Sequence, residues 1–164
     1  MSETEKRGKP IIKVALIGCG VVMLVATALV IWLAIWLFSG PEGGVKLANQ
    51  MDEYALEYLD EHEVLGADEE LIAYYDVTVS MDGTEAAILT TKRVVYLKAG
   101  METAIALDEI EDVNHRYERF IGDVIEVQSR SGTAMKIEIA PFNQGETFLN
   151  ALNTAWDKAR TPNE

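Results

Sequence analysis

The hydrophobic pattern of this chain begins with one unbroken apolar run. Residues 14–38 are 25 consecutive positions without a charged side chain. As a helix rising about 1.5 Å per residue, such a run can cross a hydrocarbon core about 30 Å thick. A buried helix of a globular protein is the alternative, but helices of that kind usually keep a polar stripe. The pattern therefore predicts a transmembrane helix over residues 11–38, behind a tail of residues 1–10.

The charges that flank this run predict its orientation. The basic residues before it are Lys6, Arg7, Lys9 and Lys13. The twenty residues after it contain only Lys46 as a basic residue. By the positive-inside rule, the N-terminus is expected in the cytoplasm and the C-terminal domain on the other side of the membrane. Trp32 and Trp36, one helical turn apart, are expected to anchor the outer end of the helix at the bilayer interface.

The single cysteine, Cys19, lies inside the apolar run. Residues 16–19 resemble a lipoprotein cleavage box, but a long apolar stretch follows them. A cleavable signal peptide would have an apolar region of about 7–15 residues that ends in a small-x-small site. This run is longer and ends in Trp36-Leu37-Phe38. We therefore expect an uncleaved signal anchor.

The next segment, residues 39–63, is interpreted as a hinge followed by an acidic amphipathic helix. Glycines and a proline punctuate residues 39–44, and apolar residues then recur at helical spacing over 45–62. Between Asp52 and Glu70 there are nine carboxylates and no Lys or Arg. This acidic run is either a solvated surface or a docking strip for a basic partner, with Asp60, Glu61 and Glu63 as candidates. No calcium-loop spacing is present.

From Leu71 onward the pattern alternates with a period of two, which predicts strands. Seven short strands are expected at residues 71–79, 85–90, 93–98, 103–107, 113–120, 124–129 and 133–140. Turns at Asp82-Gly83, Gly100, Gly122 and Gly132 separate several of them. Strands this short and this closely spaced favour an antiparallel sandwich or a small barrel.

A helix is predicted after Pro141. Asn143 and Glu146 have the spacing of an N-cap and a capping box. The apolar face of this helix consists of Phe148, Leu149, Leu152, Ala155, Trp156 and Ala159. Such a face must be buried, and the open end of a seven-stranded barrel is where we expect it to pack.

The amino-acid sequences of two segments resemble those of bacterial PH and GRAM-type domains of the pleckstrin-homology superfold. The first is AILTTKRVVYLK at 87–98, and the second is IALDEIEDV at 105–113, which contains Leu107, Ile110 and Val113 in an L-x-x-I-x-x-V pattern. The resemblance covers residues 64–160 and leaves a tail at 161–164. It implies an α+β domain, a PH-like seven-stranded antiparallel barrel capped by a C-terminal helix, behind the transmembrane helix.

The resemblance gives no support for phosphoinositide binding. PH domains that bind phosphoinositides use basic residues on the first two strands and in the loop between them. Here those two strands contain no Lys or Arg before the turn at Thr91-Lys92, and Asp82 and Glu85 occupy the loop region. Lys92 and Arg93, the nearest basic residues, lie at the opposite end of the hairpin. They remain interaction candidates, or they solvate the turn and pair with the acidic surface.

Charge and motif content restrict the function further. The whole chain has a net charge of −13, and residues 1–38 contain four basic and two acidic side chains, which leaves −15 for the rest. A domain this acidic repels nucleic acid and anionic headgroups. His62 and His115 lack metal-ligand spacing, and no nucleophile motif or phosphate-binding glycine loop occurs. We expect no enzyme activity and no cofactor.

The sequence favours a single-pass, membrane-anchored PH-like binding module. It would engage a protein or peptide partner near the membrane through a sheet edge or a pocket beside the C-terminal helix. One alternative is an assembly subunit held in a membrane complex mainly by its transmembrane helix. Another is a module for neutral or zwitterionic lipid, which would require an apolar cavity.

Overall fold

Residues 23–33, 43–78 and 81–161 are described by the computed structural model of this protein. The chain divides into two compact units, Met1–Gly40 and Pro41–Glu164. In the first unit, residues 23–33 are helical (α1) and their large apolar side chains, including that of Trp32, are 49–72% exposed. No helix within these described ranges is both long and apolar enough to cross a membrane. The remainder of the predicted span, including Trp36, lies outside them.

The described residues of the second unit form eight strands and two α-helices. In chain order they are β1 Lys46–Leu47, α2 Glu53–Glu61, β2 Leu71–Asp76, β3 Glu85–Thr90, β4 Arg93–Lys98, β5 Met101–Ala106, β6 Ile110–Glu118, β7 Gly122–Ser129, β8 Ala134–Ile139 and α3 Gly145–Arg160. All strand pairs are antiparallel. The seven predicted strands and the C-terminal helix are therefore present, with ends that differ by a few residues.

The strands form two sheets, so the prediction of a closed barrel is wrong. One sheet has the order β1-β2-β3-β4-β5, and the other has the order β6-β7-β8. The ladder of hydrogen bonds is interrupted between β5 and β6 by a 3₁₀ turn, Leu107–Glu109, in which the side chain of Leu107 is buried. This leucine and Ile110, the first residue of β6, are the first two positions of the L-x-x-I-x-x-V pattern, and both point into the core.

The main core lies between the two sheets and α3. From β8 it receives Met135, Ile137 and Ile139, and from α3 it receives Phe148 and Leu152. Both α3 residues are fully buried, and removing a side chain of this size from water contributes about 1.5–3 kcal/mol. The apolar face of the predicted C-terminal helix therefore packs on the sheets.

A second apolar cluster covers the outer face of the five-stranded sheet. Ala55 and Leu59 of α2 pack there with Tyr74, Ile88 and Val95. Because both faces of this sheet are covered, β3 and β4 are buried along most of their length. Their almost continuous apolar sequence is what a strand covered on both faces requires.

The predicted helix over residues 45–62 is wrong in its first half. Only Glu53–Glu61 is α-helical, whereas Lys46 and Leu47 pair with Tyr74 and Ala73 at the edge of the sheet. The backbone N–H of Val45 donates to the carbonyl of Asn143 at 3.0 Å. Pairing with the sheet thus prevails over a local helical spacing of apolar residues.

The predicted capping box of the C-terminal helix is also wrong. The N-cap is Gln144, with φ 60° and ψ 42°, and no side chain caps the helix. Asn143 is engaged in tertiary contacts instead, because its side-chain amide donates to the hydroxyl of Tyr75 at 3.3 Å. The first long strand similarly ends at Asp76 rather than at residue 79, because the Asp76 carboxylate accepts hydrogen bonds from Thr78 and from the N–H of Gly83.

Candidate functional site

A groove of about 590 Å³ lies between α3 and the β1–β2 side of the five-stranded sheet. Its apolar lining consists of Leu47, Ile72, Ala151 and Ala155. Its polar lining consists of Thr91, Thr147, Asn150, Thr154 and Lys158. A smaller depression adjoins it near Ala159 and shares Ile72 and Lys158 with it. The volume is in the range of pockets that hold small ligands or short peptide segments.

Local sequence explains why this groove exists. Ala151, Ala155 and Ala159 are spaced by four residues on α3, so they lie in a row on one face of the helix. Because alanine is small, this row leaves space that longer side chains would fill. On the sheet side, the register of β2 against β3 shifts between Leu71 and Ala73, and Ile72, at this irregularity, lines the groove.

The chemistry of the groove differs from that of the rest of the domain. None of its lining residues has a carboxylate, although the chain outside residues 1–38 has a net charge of −15. Three hydroxyls and one amide can hydrogen-bond to a backbone, and the ammonium of Lys158 can pair with an anionic group. Lys158 is the only ionisable side chain among the described residues of the lining. This arrangement can bind a ligand through apolar contacts, hydrogen bonds and one positive charge.

The predicted acidic candidates lie around a second groove, next to α2. Its lining residues are Leu56, Leu59, Asp60, Glu63, Leu65 and Leu71, and its volume is also about 590 Å³. Asp60 and Glu63 therefore come together at one surface depression. Glu61 is exposed nearby on α2 but does not line the groove.

The two predicted basic candidates have different environments. Arg93 bonds to Glu69, to Glu102 and to the carbonyl of Val64, and its hydrogen bond with Glu69 holds its pKa above the usual value. Lys92 is exposed, and its side chain forms no hydrogen bond or ion pair with the other described residues. Arg93 is thus paired with two acidic side chains, whereas Lys92 is exposed, and a role of either residue in binding a partner stays a prediction.

A buried carboxylate orders the segment that follows β2. Asp76 is 5% exposed and lies 3.4 Å from the hydroxyl of Tyr54. Burial and the charge of Asp76 raise the pKa values of Tyr54 and Tyr74 above the usual value. No group of three or more His, Cys, Asp or Glu side chains in the described part of the chain is arranged to hold a metal ion. The buried carboxylate of Asp76 thus accepts its hydrogen bonds from Tyr54, Thr78 and Gly83 of the same domain.

The residues of the α3 groove were not singled out by the sequence. Leu47 and Ile72 come from segments that are distant in sequence from α3, and their proximity depends on how the sheet packs. The row of alanines was the only available signal, but alanine in a helix also has a high intrinsic propensity and needs no function to explain it.

Comparison with known proteins is informative about the fold. A family model described as "Bacterial PH domain" matches residues 65–154. A solved structure of a protein with a pleckstrin-homology domain, from Shewanella loihica PV-4, is similar with a TM-score of 0.52 and 11% sequence identity. The alignment covers 70% of this chain and 98% of that one. No curated protein gives a significant match. At this identity the structural likeness concerns the fold alone.

Proposed function

Because this chain belongs to the bacterial PH domain family, we propose that it is a single-pass membrane-anchored binding module without catalytic activity. It binds a protein or peptide partner close to the membrane surface. The groove beside α3 is the binding site, and the absence of carboxylates from its lining in so acidic a domain is the observation that carries the proposal.

The exposure of α1 supports the membrane anchor. Its large apolar side chains are exposed on all sides of the helix, with Met23 at 71%, Leu24 at 72% and Val30 at 66%. Its only side-chain hydroxyl, that of Thr27, donates to the carbonyl of Met23 at 2.9 Å. A helix that is apolar all round and bonds its own polar group is suited to lipid rather than to water. The charges that flank residues 14–38 support a cytoplasmic N-terminus.

The groove favours a short extended segment of a protein partner. Its apolar side chains can take one or two apolar side chains of the ligand, while the threonines and Asn150 can bond to the ligand backbone. Lys158 lies at one end of the α3 face that lines the groove, and it favours an acidic group on the same segment of the partner. Nucleic acid and inositol phosphates are not expected ligands, because a net charge of −15 opposes them.

The test uses the full-length protein in its own membrane. A photo-activated cross-linking amino acid is placed at Ala151, inside the groove, and in a control at Asp157, an exposed α3 residue outside the groove lining. We expect Ala151 but not Asp157 to cross-link to one defined segment of a partner, which mass spectrometry identifies. A synthetic peptide of that segment is then expected to bind the purified protein, and Lys158→Glu is expected to weaken binding about tenfold or more.

The alternatives give different results in the same experiment. An adduct with lipid at Ala151 would favour the neutral-lipid module. A complex that survives Ala151→Trp but is lost when residues 14–38 are replaced would favour an assembly subunit held by its membrane helix. Equal cross-linking from both positions would contradict the groove as the binding site.

The groove next to α2 supports a second candidate, a basic amphipathic partner. Asp60 and Glu63 line it together with Leu56, which is 48% exposed. Such a partner would present apolar and basic side chains at helical spacing. The double substitution Asp60→Asn and Glu63→Gln would then release this partner. Its binding to the unchanged protein would weaken as the salt concentration rises.

A further inference from the structure

One end of the domain exposes four large aromatic and aliphatic side chains. Phe120 is 91% exposed and Phe142 is 84% exposed, the highest values among the exposed large apolar residues. Tyr117 is 60% exposed and Ile121 is 37% exposed. We call these four residues the aromatic end. Large apolar side chains that are this exposed in neighbouring turns indicate an interaction surface.

The backbone brings these residues together from two separate turns. Residues 119–121 connect β6 to β7, and residues 140–144 connect β8 to α3. The two turns meet at Gly122, where an ideal Cβ would lie 2.1 Å from the carbonyl oxygen of Ile139 and 2.7 Å from the nitrogen of Pro141. Phe120 and Phe142 therefore project from adjacent backbone segments.

The polar groups at this end are compatible with a bilayer interface. The guanidinium of Arg119 lies 5.9 Å from the ring centre of Phe120. Arg116, on the same strand as Tyr117, pairs with Glu118 and Glu126. Aromatic rings beside arginine are typical of segments that lie at the level of lipid headgroups, where rings enter the acyl boundary and charges stay in water.

The polypeptide enters the domain at this same end. Val45 donates to Asn143, one residue after Phe142, and an ideal Cβ on Gly44 would lie 3.5 Å from the side-chain nitrogen of Gln144. Only residues 39–44 separate this point from the end of the apolar run at Phe38. Fully extended, that stretch spans about 24 Å at most from residue 38 to residue 45, so the proposed anchor would limit the distance of this end of the domain from the bilayer.

We propose that the aromatic end inserts into the interface of the lipid leaflet next to the anchor, and so binds zwitterionic bilayer. The inference rests on the proposed membrane anchor. Phe120 and Phe142 enter the boundary between headgroups and acyl chains, and Arg119 remains at the headgroups. Zwitterionic lipid is the ligand because the acidic domain repels an anionic surface.

The test uses full-length protein reconstituted into phosphatidylcholine vesicles that contain brominated lipid. In a Cys19→Ala background, an environment-sensitive fluorophore is attached at Phe120→Cys or, as a control, at Thr133→Cys. Thr133 is exposed in the turn between β7 and β8, at the opposite end of β7 from Gly122. At about 3.3 Å per residue, the eight residues of β7 place the two labels more than 20 Å apart.

We expect the label at position 120 to lose about half of its emission to brominated lipid and the label at position 133 to lose little, because bromine quenches only probes near the acyl boundary. Adding Phe142→Ser is expected to reduce the quenching at position 120. Adding Leu56→Ser, which removes an exposed leucine on α2, is expected to leave it unchanged.

Three results would overturn the inference. Protein that floats with the vesicles but shows no quenching at position 120 contradicts the insertion and leaves the anchor intact. If the emission of the label at position 120 shifts to the blue but is not quenched by brominated lipid, then protein, such as a second copy of the chain, covers this end. Protein that fails to float contradicts the anchor and the insertion together.

Discussion

Arg93 and Glu69 form a two-point salt bridge that joins the loop before β2 to the start of β4. The guanidinium Nε lies 2.9 Å from one carboxylate oxygen of Glu69, and a terminal nitrogen lies 3.2 Å from the other. The Glu69 side chain is only 4% exposed and also accepts from the hydroxyl of Thr90 at 2.6 Å. The arginine further donates to the carbonyl of Val64 at 2.9 Å. One basic side chain thus fixes a loop that is otherwise rich in negative charge.

Replacing this arginine is expected to destabilise the domain. Arg93→Ala leaves the buried carboxylate of Glu69 without its cation, and the free energy of unfolding should fall by about 2–3 kcal/mol. Lys92→Ala is the matched control, because the neighbouring lysine is exposed, and it should change stability by less than about 0.5 kcal/mol. Urea unfolding of the full-length protein in mild detergent, followed by circular dichroism, measures both. Equal effects of the two variants would contradict this role of the salt bridge.

The same carboxylate predicts a dependence of stability on pH. Burial alone would raise the pKa of Glu69, but hydrogen bonds from Arg93, Thr90 and the N–H of Gly66 outweigh it, and the pKa is lowered from 4.5. A depressed folded-state pKa stabilises the fold above about pH 4.5, and this contribution disappears as the pH falls through the folded-state value. Glu69→Gln should therefore destabilise at pH 7, and the difference from the parent protein should shrink in acid.

Glu70→Gln is the control for that experiment. Glu70 is adjacent and exposed, and its side chain forms no hydrogen bond or ion pair with the other described residues. Its replacement should leave the stability difference near zero across the same pH range. A Glu69→Gln effect that stays constant down to pH 3 would contradict the assignment of acid sensitivity to this carboxylate.

Gly122 is expected to tolerate no side chain. It has φ +101°, and an ideal Cβ would lie 2.1 Å from the carbonyl oxygen of Ile139, a backbone atom that cannot move aside cheaply. Gly122→Ala should therefore cost about 3–5 kcal/mol or prevent folding. Gly132→Ala tests backbone strain alone, because this glycine has φ +90° but nothing within 4 Å of an added Cβ. This substitution should lower the free energy of unfolding by about 1–2 kcal/mol. Thermal unfolding separates the two variants.

The hydroxyl of Tyr75 is expected to hold the turn that carries Phe142. It accepts hydrogen bonds from the N–H of Ala140 at 3.1 Å and from the side chain of Asn143 at 3.3 Å. Tyr75→Phe leaves these donors unpaired and should lower stability by about 1–2 kcal/mol. Hydrogen exchange should increase at residues 140–144 before it increases elsewhere. Tyr117→Phe, which removes a hydroxyl from a 60% exposed ring, should have no measurable effect on either quantity.

Much of the fold could be predicted because the period of the apolar positions is a local property. The apolar runs on either side of the turn at Thr91-Lys92 placed β3 and β4 at their observed ends, and alternation placed β8 within one residue of its ends. The prediction failed where a distant partner competes with the local pattern. Lys46 and Leu47 follow a helical spacing but pair with β2, and Asn143 has the character of an N-cap but bonds to Tyr75.

The candidate sites could be predicted only in part. Asp60 and Glu63 stood out as members of an acidic run, and the structure places them at one groove. Phe142 carried a readable signal as an aromatic residue directly after Pro141, but Phe120 fell inside the strand predicted at 113–120, and the sequence does not reveal that the two turns are adjacent. The α3 groove combines residues from β1, β2 and α3, and no local pattern connects them.

By itself, the sequence determined the PH-like family of this domain, its strands, its acidic charge and the apolar run ahead of it, because these depend on residue types and their spacing. Only the tertiary structure decided that the strands form two sheets, that Arg93 is bound to Glu69, and that the chain enters the domain beside Phe142. These are relations between segments distant in sequence. They follow from which backbone groups pair and which surfaces pack, and a one-dimensional pattern does not contain that information.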